Sequence, residues 1–332
     1  MSLSYPTEPK IPERVQPGGG WGMRVEECWG ALRRTLLRLF RPGYVRRMKE
    51  RRLGACARFD AHVIDYRDLK YTRPACGIDF PVRPHWGKPC CGFARYGICE
   101  LTVFSLLFLL LGGALTTLAL LVHPIFWLGF IPLAPVWFEI VWFFRDPERS
   151  IPPDADAILS PADGTITNVE EVEEIEFSGK MLRVSIFLSI FNVHVNRMPW
   201  PGRITQVRYF PGGFLDARDP NSALRNEQLW IDAEADGGVR MRIKQISGKL
   251  ARRIVCWLKP GDAPAKGERI GMIKLGSRTD LLLPAELVAQ ICVKPGDKVR
   301  GGKTILLRMA QEAKTAESIP AAVAPDAMPS LK

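Results

Sequence analysis

A glycine followed by a serine near the C-terminus is the pair of residues best suited to chemistry in this chain of 332 residues. Gly276-Ser277 lies between two apolar runs, around Met272-Ile273 and Leu281-Leu282. Glycine permits strained backbone conformations that place the serine hydroxyl beside the preceding carbonyl. The hydroxyl can attack that carbonyl and turn the amide into an ester, and elimination followed by hydrolysis leaves a pyruvoyl group at a new N-terminus. The alternative is a plain turn, because most Gly-Ser pairs only reverse the chain.

Other motifs accompany this pair in a fixed order along the chain. They are Leu159-Ser160-Pro161-Ala162-Asp163-Gly164, Phe191-Asn192-Val193-His194-Val195-Asn196-Arg197-Met198-Pro199, Tyr209-Phe210-Pro211-Gly212-Gly213-Phe214 and Arg225-Asn226-Glu227. Together with Leu275-Gly276-Ser277, their order and spacing resemble the phosphatidylserine decarboxylase proenzymes of the short bacterial and archaeal form. The resemblance covers about residues 125–308 and leaves residues 1–95 without a counterpart.

The resemblance implies a pyruvoyl-dependent enzyme that matures by self-cleavage. Cleavage between Gly276 and Ser277 would give fragments 1–276 and 277–332, which stay together as a heterodimer. The smaller fragment would begin with the pyruvoyl group made from Ser277. This group forms a Schiff base with the amine of phosphatidylserine and accepts electrons as carbon dioxide leaves, so that phosphatidylethanolamine is the product. No metal or external cofactor is expected.

His194 is the candidate proton donor and base. It is the only histidine in the C-terminal half, and histidine can both take and give a proton near neutral pH. The alternative is a core histidine whose ring is bound to a backbone carbonyl. Asp163 is predicted to orient His194 or to support self-cleavage, although an Asp-Gly pair such as Asp163-Gly164 also suits a simple turn.

Arg197 marks a departure from the long-form relatives, which carry a second histidine at this position, three residues after the first. That histidine resembles the base of an Asp-His-Ser self-cleavage triad. Either His194 serves in both steps here, or cleavage relies more on strain in the turn. Arg197 is instead predicted to contact the substrate phosphodiester, because arginine binds phosphate with two hydrogen bonds. The alternative is a solvated arginine.

Residues 101–138 contain no charged side chain, which predicts a membrane segment. A bilayer core needs about 20 apolar residues per helix, so this length suits two helices better than one. His123-Pro124 lies in the middle, where a proline would interrupt a helix. We therefore predict a transmembrane helical hairpin over residues 101–144, with Trp137, Trp142, Phe143 and Phe144 in an interfacial belt. A buried hairpin in a soluble protein is the alternative.

The first hundred residues are strongly basic, with 19 Lys and Arg against 10 Asp and Glu. The remainder is near neutral, with 27 against 25. Beside a membrane segment, this charge predicts contact with an anionic bilayer surface rather than with nucleic acid. Arginines between apolar residues indicate an amphipathic helix over 24–41, lying on the bilayer or on the protein's own core. The positive-inside tendency then favours the cell (inner) membrane, with the catalytic domain in the cytoplasm.

Short alternating runs after residue 150 predict a mainly β catalytic domain over 150–309, of the β-sandwich or barrel-sandwich class. The turns Lys259-Pro260-Gly261-Asp262 and Lys294-Pro295-Gly296-Asp297 resemble those of lipoyl-type domains. Residues 1–95 form a basic extension that we expect to be partly disordered, chiefly over 1–20, and 310–332 form a disordered tail. The alternative functions are a membrane-anchored lipoyl-like adaptor without catalysis, or a pyruvoyl decarboxylase of another aminolipid.

Overall fold

The computed structural model describes residues 8–81, 87–174, 176–177, 179–219, 221–249, 253–274 and 276–310, and these residues form a mainly β protein with an apolar helical pair. The α-helices are α1 Trp21–Phe40, α2 Pro42–Glu50, α3 Ile98–Leu121, α4 Phe130–Phe143 and α5 Ser222–Arg225. The strands are β1 Ala157–Leu159, β2 Gly164–Glu173, β3 Lys180–Leu188, β4 Val195–Arg197, β5 Arg203–Phe210, β6 Gln228–Glu234, β7 Arg240–Ser247, β8 Arg253–Cys256, β9 Arg269–Lys274, β10 Ser277–Pro284, β11 Val288–Ile291, β12 Lys298–Val299 and β13 Ile305–Met309.

The strands make three antiparallel sheets. The largest has seven strands in the order β12-β2-β3-β10-β7-β6-β5, and the two smaller sheets are β4-β9-β8 and β1-β13-β11. Asn196 in β4 donates a hydrogen bond to Thr279 Oγ1 in β10 at 3.1 Å and accepts one from Gln245 Nε2 in β7 at 2.8 Å. These bonds pack the β4-β9-β8 sheet against one face of the large sheet. The predicted β class is confirmed, as layered antiparallel sheets.

Two helical segments are apolar and largely exposed. They run over residues 95–121 and 124–143, and by length and composition alone each could cross a membrane. α3 ends at Leu121 and a 3₁₀ helix begins at Pro124, so the chain breaks where the proline predicts a break. Leu110 and Leu121 are 71 % and 80 % exposed, whereas the large apolar side chains of a core helix are buried. The alternative of a buried hairpin is wrong for these two helices.

The base of this helical pair packs firmly on the β structure. Phe143 and Phe144 are buried in the main core, so they do not join the interfacial belt that the sequence predicts for them. Gly97 makes this packing possible, because a Cβ there would overlap the Phe144 ring. Glu100, at the start of α3, forms a buried ion pair with Lys274 at the end of β9. The helices are therefore attached to the strand that leads to the Gly276-Ser277 peptide.

The N-terminal region is folded onto the β structure over its described part. Val15 is fully buried, its N–H donates to the Tyr71 carbonyl at 2.9 Å, and its carbonyl accepts from Cys256 at 2.9 Å. The prediction of disorder over 1–20 is thus wrong for residues 8–20, because long-range contacts order a segment whose composition suggests none. The helix predicted over 24–41 spans Trp21–Phe40, and Pro42 begins α2. Residues 1–7 and the predicted tail beyond 310 lie outside the described residues.

Candidate active site

The Gly276-Ser277 peptide lies where the chain passes from one sheet to another. β9 ends at Lys274 in the β4-β9-β8 sheet, and β10 begins at Ser277 in the seven-stranded sheet. A plain hairpin turn requires its two strands to lie side by side, and these two belong to different sheets. The peptide is therefore not the tip of a hairpin but a crossing between two sheets, and its cleavage stays a prediction.

Two glycines shape the backbone at this crossing. Gly276 has a φ of +56°, in the left-handed region that glycine adopts easily. Gly248 directly follows β7, and a Cβ at this position would overlap the Gly276 carbonyl oxygen. The carbonyl that the serine would attack thus approaches the backbone at Gly248 closely. Glycine is suited to position 276 because of its positive φ, and to position 248 because a side chain there would overlap the Gly276 carbonyl oxygen.

The Ser277 side chain is completely buried opposite a second serine. Ser277 is 0 % exposed and lies across from Ser247 in β7. Within the described ranges, neither serine hydroxyl has a hydrogen-bond partner. A buried polar group without a partner costs roughly 1–3 kcal/mol. No hydrogen bond within the described residues therefore offsets the burial of either hydroxyl.

The face of β10 that carries Ser277 turns toward β4. Thr279 is two residues further along and shares this face, because side chains alternate along a strand. Its hydrogen bond with Asn196 shows that the face meets β4. His194 precedes Asn196 by two residues, and its carbonyl accepts the N–H of Ile273 at 3.2 Å. The structure thus brings His194 beside the strand that leads into the Gly276-Ser277 peptide.

The hydrogen bond of the His194 ring defines which nitrogen carries the proton. Nδ1 lies 2.9 Å from the carbonyl oxygen of Asn192, which can only accept, so Nδ1 donates. Nε2 of the neutral ring then presents a lone pair, and it is buried without a partner among the residues that the structure describes. In this tautomer, Nε2 is the ring nitrogen that can accept a proton.

Burial and a neighbouring cation keep this ring neutral. Burial lowers the pKa of His194 to about 3, with a smaller contribution from the charge of Arg145 and against the opposing effect of the hydrogen bond to Asn192. The Phe143 ring lies 4.3 Å from the imidazole, centroid to centroid, and excludes water from it. Arg145 donates to the Phe191 carbonyl at 2.8 Å, on the loop that carries His194. The end of α4 therefore forms part of the surroundings of this histidine.

Asp163 is buried nearby but is bound to other groups. One carboxylate oxygen accepts from Arg149 at 2.7 Å and the other from the Gly301 N–H at 2.7 Å. Burial raises the pKa of Asp163, while Arg149 opposes this rise. The carbonyl of Asn192, rather than Asp163, accepts the bond that orients the His194 ring. The part of Asp163 in self-cleavage stays a prediction.

Arg197 is buried, and its guanidinium is engaged within the protein. It donates to the carbonyls of Gly267 and Pro147 at 3.1 and 3.0 Å and to Asp146 at 3.3 Å. Burial lowers its pKa to about 10, with a further contribution from the charge of Arg269. The solvated alternative is wrong for this side chain. A contact with the substrate phosphodiester would require these bonds to open, and that contact stays a prediction.

Asn226 and Glu227 hold the strand next to the serine. Asn226 Nδ2 donates to the Ser247 carbonyl at 2.7 Å, and the Ser247 N–H donates to the Glu227 carbonyl at 2.9 Å. Burial also raises the pKa of the Glu227 carboxyl to about 7. These two residues therefore position Ser247, the direct neighbour of Ser277.

Several residues around the site escape sequence reasoning. Gly248, Asn192 through its carbonyl, Phe143 and Arg145 all reach the site through long-range packing. For Phe143 and Arg145, the sequence offers one signal, the step from apolar to charged residues at Phe144-Arg145. Over the described ranges, no group of three or more His, Cys, Asp or Glu residues is arranged to hold a metal ion.

Comparison with known proteins links this site to one family. The family model of phosphatidylserine decarboxylase matches residues 139–307. A phosphatidylserine decarboxylase proenzyme of Rhodopirellula baltica is 41 % identical over 221 residues, which are 66 % of this chain and 89 % of that protein. The proenzymes of Symbiobacterium thermophilum and Chlorobium chlorochromatii are 44 % and 46 % identical, over 60 % and 54 % of this chain and 92 % and 88 % of their own lengths. The chain therefore belongs to the phosphatidylserine decarboxylase family.

Proposed function

We propose that this chain decarboxylates phosphatidylserine to phosphatidylethanolamine, using a pyruvoyl group that it makes from its own Ser277. One observation carries the proposal. A fully buried serine hydroxyl, unpaired among the described residues, directly follows a left-handed glycine, and His194, whose Nδ1 donates to the Asn192 carbonyl, directly precedes β4. The relatives bear the name of this activity and of a proenzyme, which supports both the reaction and the processing.

Self-cleavage assigns a task to each residue at the crossing. Ser277 Oγ forms a bond to the Gly276 carbonyl carbon, and the amide C–N bond breaks. The hydroxyl proton passes to His194 Nε2 and then to the released amine, which gives an ester. Loss of the Ser277 Cα proton and breakage of the Cβ–O bond then free the Gly276 carboxylate. Hydrolysis with loss of ammonia leaves the pyruvoyl terminus.

The buried site fits the group that this cleavage would produce. A pyruvoyl group supplies a ketone that captures the substrate amine and accepts the electron pair released with carbon dioxide. His194 Nε2, unprotonated at rest, takes the proton that the substrate ammonium must lose. The same nitrogen returns this proton to the former α-carbon after carbon dioxide has left. Phe143 excludes water from the imidazole, so that the proton is not lost to solvent.

We further propose that α3 and α4 span the cell membrane as a hairpin. Their exposed apolar surfaces and the break near Pro124 support this. Two crossings return the chain to the side on which it began, and the basic first hundred residues favour the cytoplasm for that side. The catalytic domain then stands at the inner surface, where an anionic lipid headgroup can reach it without leaving the bilayer.

A denaturing gel and a lipid assay test the proposal together. We expect purified wild-type protein to show fragments 1–276 and 277–332, with the smaller one blocked to Edman sequencing by its pyruvoyl terminus. The Ser277→Ala variant should stay uncut and release no carbon dioxide from phosphatidylserine. An intact and inactive wild-type chain would refute the proposal. Release from another aminophospholipid in place of phosphatidylserine would correct the substrate.

A further inference from the structure

The space between the two apolar helices forms a groove of about 550 Å³. Its walls come from both helices and are almost entirely apolar, with Leu106, Phe108, Phe130 and Leu133 among them. The hydroxyl of Ser105 also faces the groove and accepts a hydrogen bond from Trp137 Nε1 at 3.2 Å. This volume lies within the range of about 300–1,000 Å³ that is usual for small-molecule sites. The apolar lining of the groove suits a hydrocarbon chain.

One end of the groove is continuous with the catalytic unit. Leu101 lines the groove and also packs against the main core. Ile140, three residues after the groove residue Trp137, packs against the same core. Phe143 follows on the same helix and contacts the His194 ring. Phe143 lies six positions after Trp137 on the same helix, which is an axial distance of about 9 Å. A molecule in the groove would therefore point its end toward the site.

A cation stands beyond this end of the groove. Arg145 is half-buried, follows α4 by two residues and bridges to the loop that carries His194. A phospholipid carries its phosphate between its acyl chains and its headgroup, and the charge of Arg145 would attract this phosphate. Arg145 donates to the Trp142 and Phe191 carbonyls, so a direct contact with the phosphate would require one of these bonds to open. The order of these features matches the order of the parts of a phospholipid. The apolar walls would contact an acyl chain, the cation would attract the phosphate, and the catalytic unit would receive the headgroup.

We propose that the groove between α3 and α4 binds one acyl chain of the phosphatidylserine substrate and thereby directs its headgroup to Ser277 and His194. The inference rests on the proposed function and names where the lipid tail is held. Lipid tails are as apolar as leucine, so no hydrophobic gain over the bilayer is available and binding depends on packing. The groove therefore aligns the substrate and confers only moderate affinity.

A groove-filling variant tests this assignment. Ala134 lines the groove, whereas Leu110 lies on the outer surface of α3 and is 71 % exposed. We expect Ala134→Trp to raise the KM for dioleoyl-phosphatidylserine about tenfold, as a loss of about 1.4 kcal/mol would. Its kcat/KM for water-soluble dihexanoyl-phosphatidylserine should stay near the wild-type value, because a short chain does not fill the groove. The matched control Leu110→Trp should leave both values unchanged.

A photolabel gives a second readout that does not depend on activity. Phosphatidylethanolamine with a diazirine at the end of one acyl chain should label residues 98–143 of the wild type. Labelling should be lost in Ala134→Trp and retained in Leu110→Trp. Equal labelling of both variants, or an equal KM for the long-chain lipid, would overturn the inference. If the wild type decarboxylates neither dioleoyl- nor dihexanoyl-phosphatidylserine, the proposed function is refuted instead. The photolabel would still test lipid binding in the groove.

Discussion

Gly248 and Gly276 act on the same carbonyl for different physical reasons, and this difference predicts how they can be replaced. A methyl group at Gly276 meets no atom within 4 Å, so its cost lies in the backbone alone. A methyl group at Gly248 would overlap the Gly276 carbonyl oxygen and push the scissile peptide away. We therefore expect Gly248→Ala to leave most of the chain uncut in a time course followed on denaturing gels.

Gly113 provides a matched control for this substitution. It lies in α3, and a Cβ there has nothing within 4 Å. Gly113→Ala should be cleaved as completely as the wild type, because it adds a methyl group without touching the site. Complete cleavage of Gly248→Ala would mean that the carbonyl does not need the close approach seen at this position.

The neutral state of His194 predicts an unusual pH dependence. With a pKa of about 3, Nε2 stays unprotonated at every pH in which the protein is handled. We expect the rate of self-cleavage to remain level between about pH 8 and pH 5 as far as this base is concerned, unlike that of an exposed histidine, whose pKa is near 6.5. The rate can be measured by following uncut chain from cell-free synthesis at each pH. A fall centred near pH 6.5 would show that the ring is hydrated.

The same shift affects stability with a definite sign. The unfolded chain binds a proton at this histidine near pH 6.5, whereas the folded chain resists it down to about pH 3. Between these values the unfolded state binds more protons, so the free energy of unfolding decreases as the pH falls. Burial of the neutral His194 ring therefore lowers the stability of the folded chain in acid.

At the scale of elements, local patterns predicted the strands far better than their partners. Alternating runs around residues 164–169, 181–188 and 203–209 correspond to β2, β3 and β5. The chain's crossing between two sheets at Gly276 was not predictable, since strand pairing joins residues far apart in sequence. Sequence motifs singled out His194 and Ser277 as candidates. The Asn192 carbonyl and Phe143 were not singled out, because their roles arise only from tertiary packing.

The ion pair between Glu100 and Lys274 couples the helical hairpin to the strand before the cleavage site. Both residues are at least nine-tenths buried. Removing one partner of such a pair leaves a buried charge and costs about 3–5 kcal/mol. We expect Glu100→Ala to lower the thermal unfolding midpoint in detergent and to reduce the cleaved fraction.

The exchanged pair Glu100→Lys with Lys274→Glu separates charge pairing from packing. This double variant should recover most of the cleaved fraction, because it restores opposite charges at the same place. The exposed pair of Lys180 and Glu171 is a suitable reference, and Glu171→Ala should change the unfolding midpoint little. An unchanged midpoint in Glu100→Ala would show that the hairpin base does not depend on this pair.

Across the whole molecule, the parts on either side of the cleavage site are interlaced. Residues 277–310 contribute β10 and β12 to the seven-stranded sheet and β11 and β13 to a second sheet. β10 lies inside the large sheet, paired with β3 on one side and β7 on the other. Cutting one peptide before β10 removes none of these pairings. A terminus made by the proposed cleavage would therefore be held inside the seven-stranded sheet.

This arrangement predicts that the two fragments stay together after cleavage. Withdrawal of the smaller fragment would break both ladders of β10 and expose Leu281 and Leu283, which are fully buried. We expect fragments 1–276 and 277–332 to elute as one species in mild detergent and to separate only in denaturant, with uncut Ser277→Ala as the reference for elution volume. Separation in mild detergent would show that cleavage loosens the sheet, and that the pyruvoyl terminus is not held by the pairing of β10.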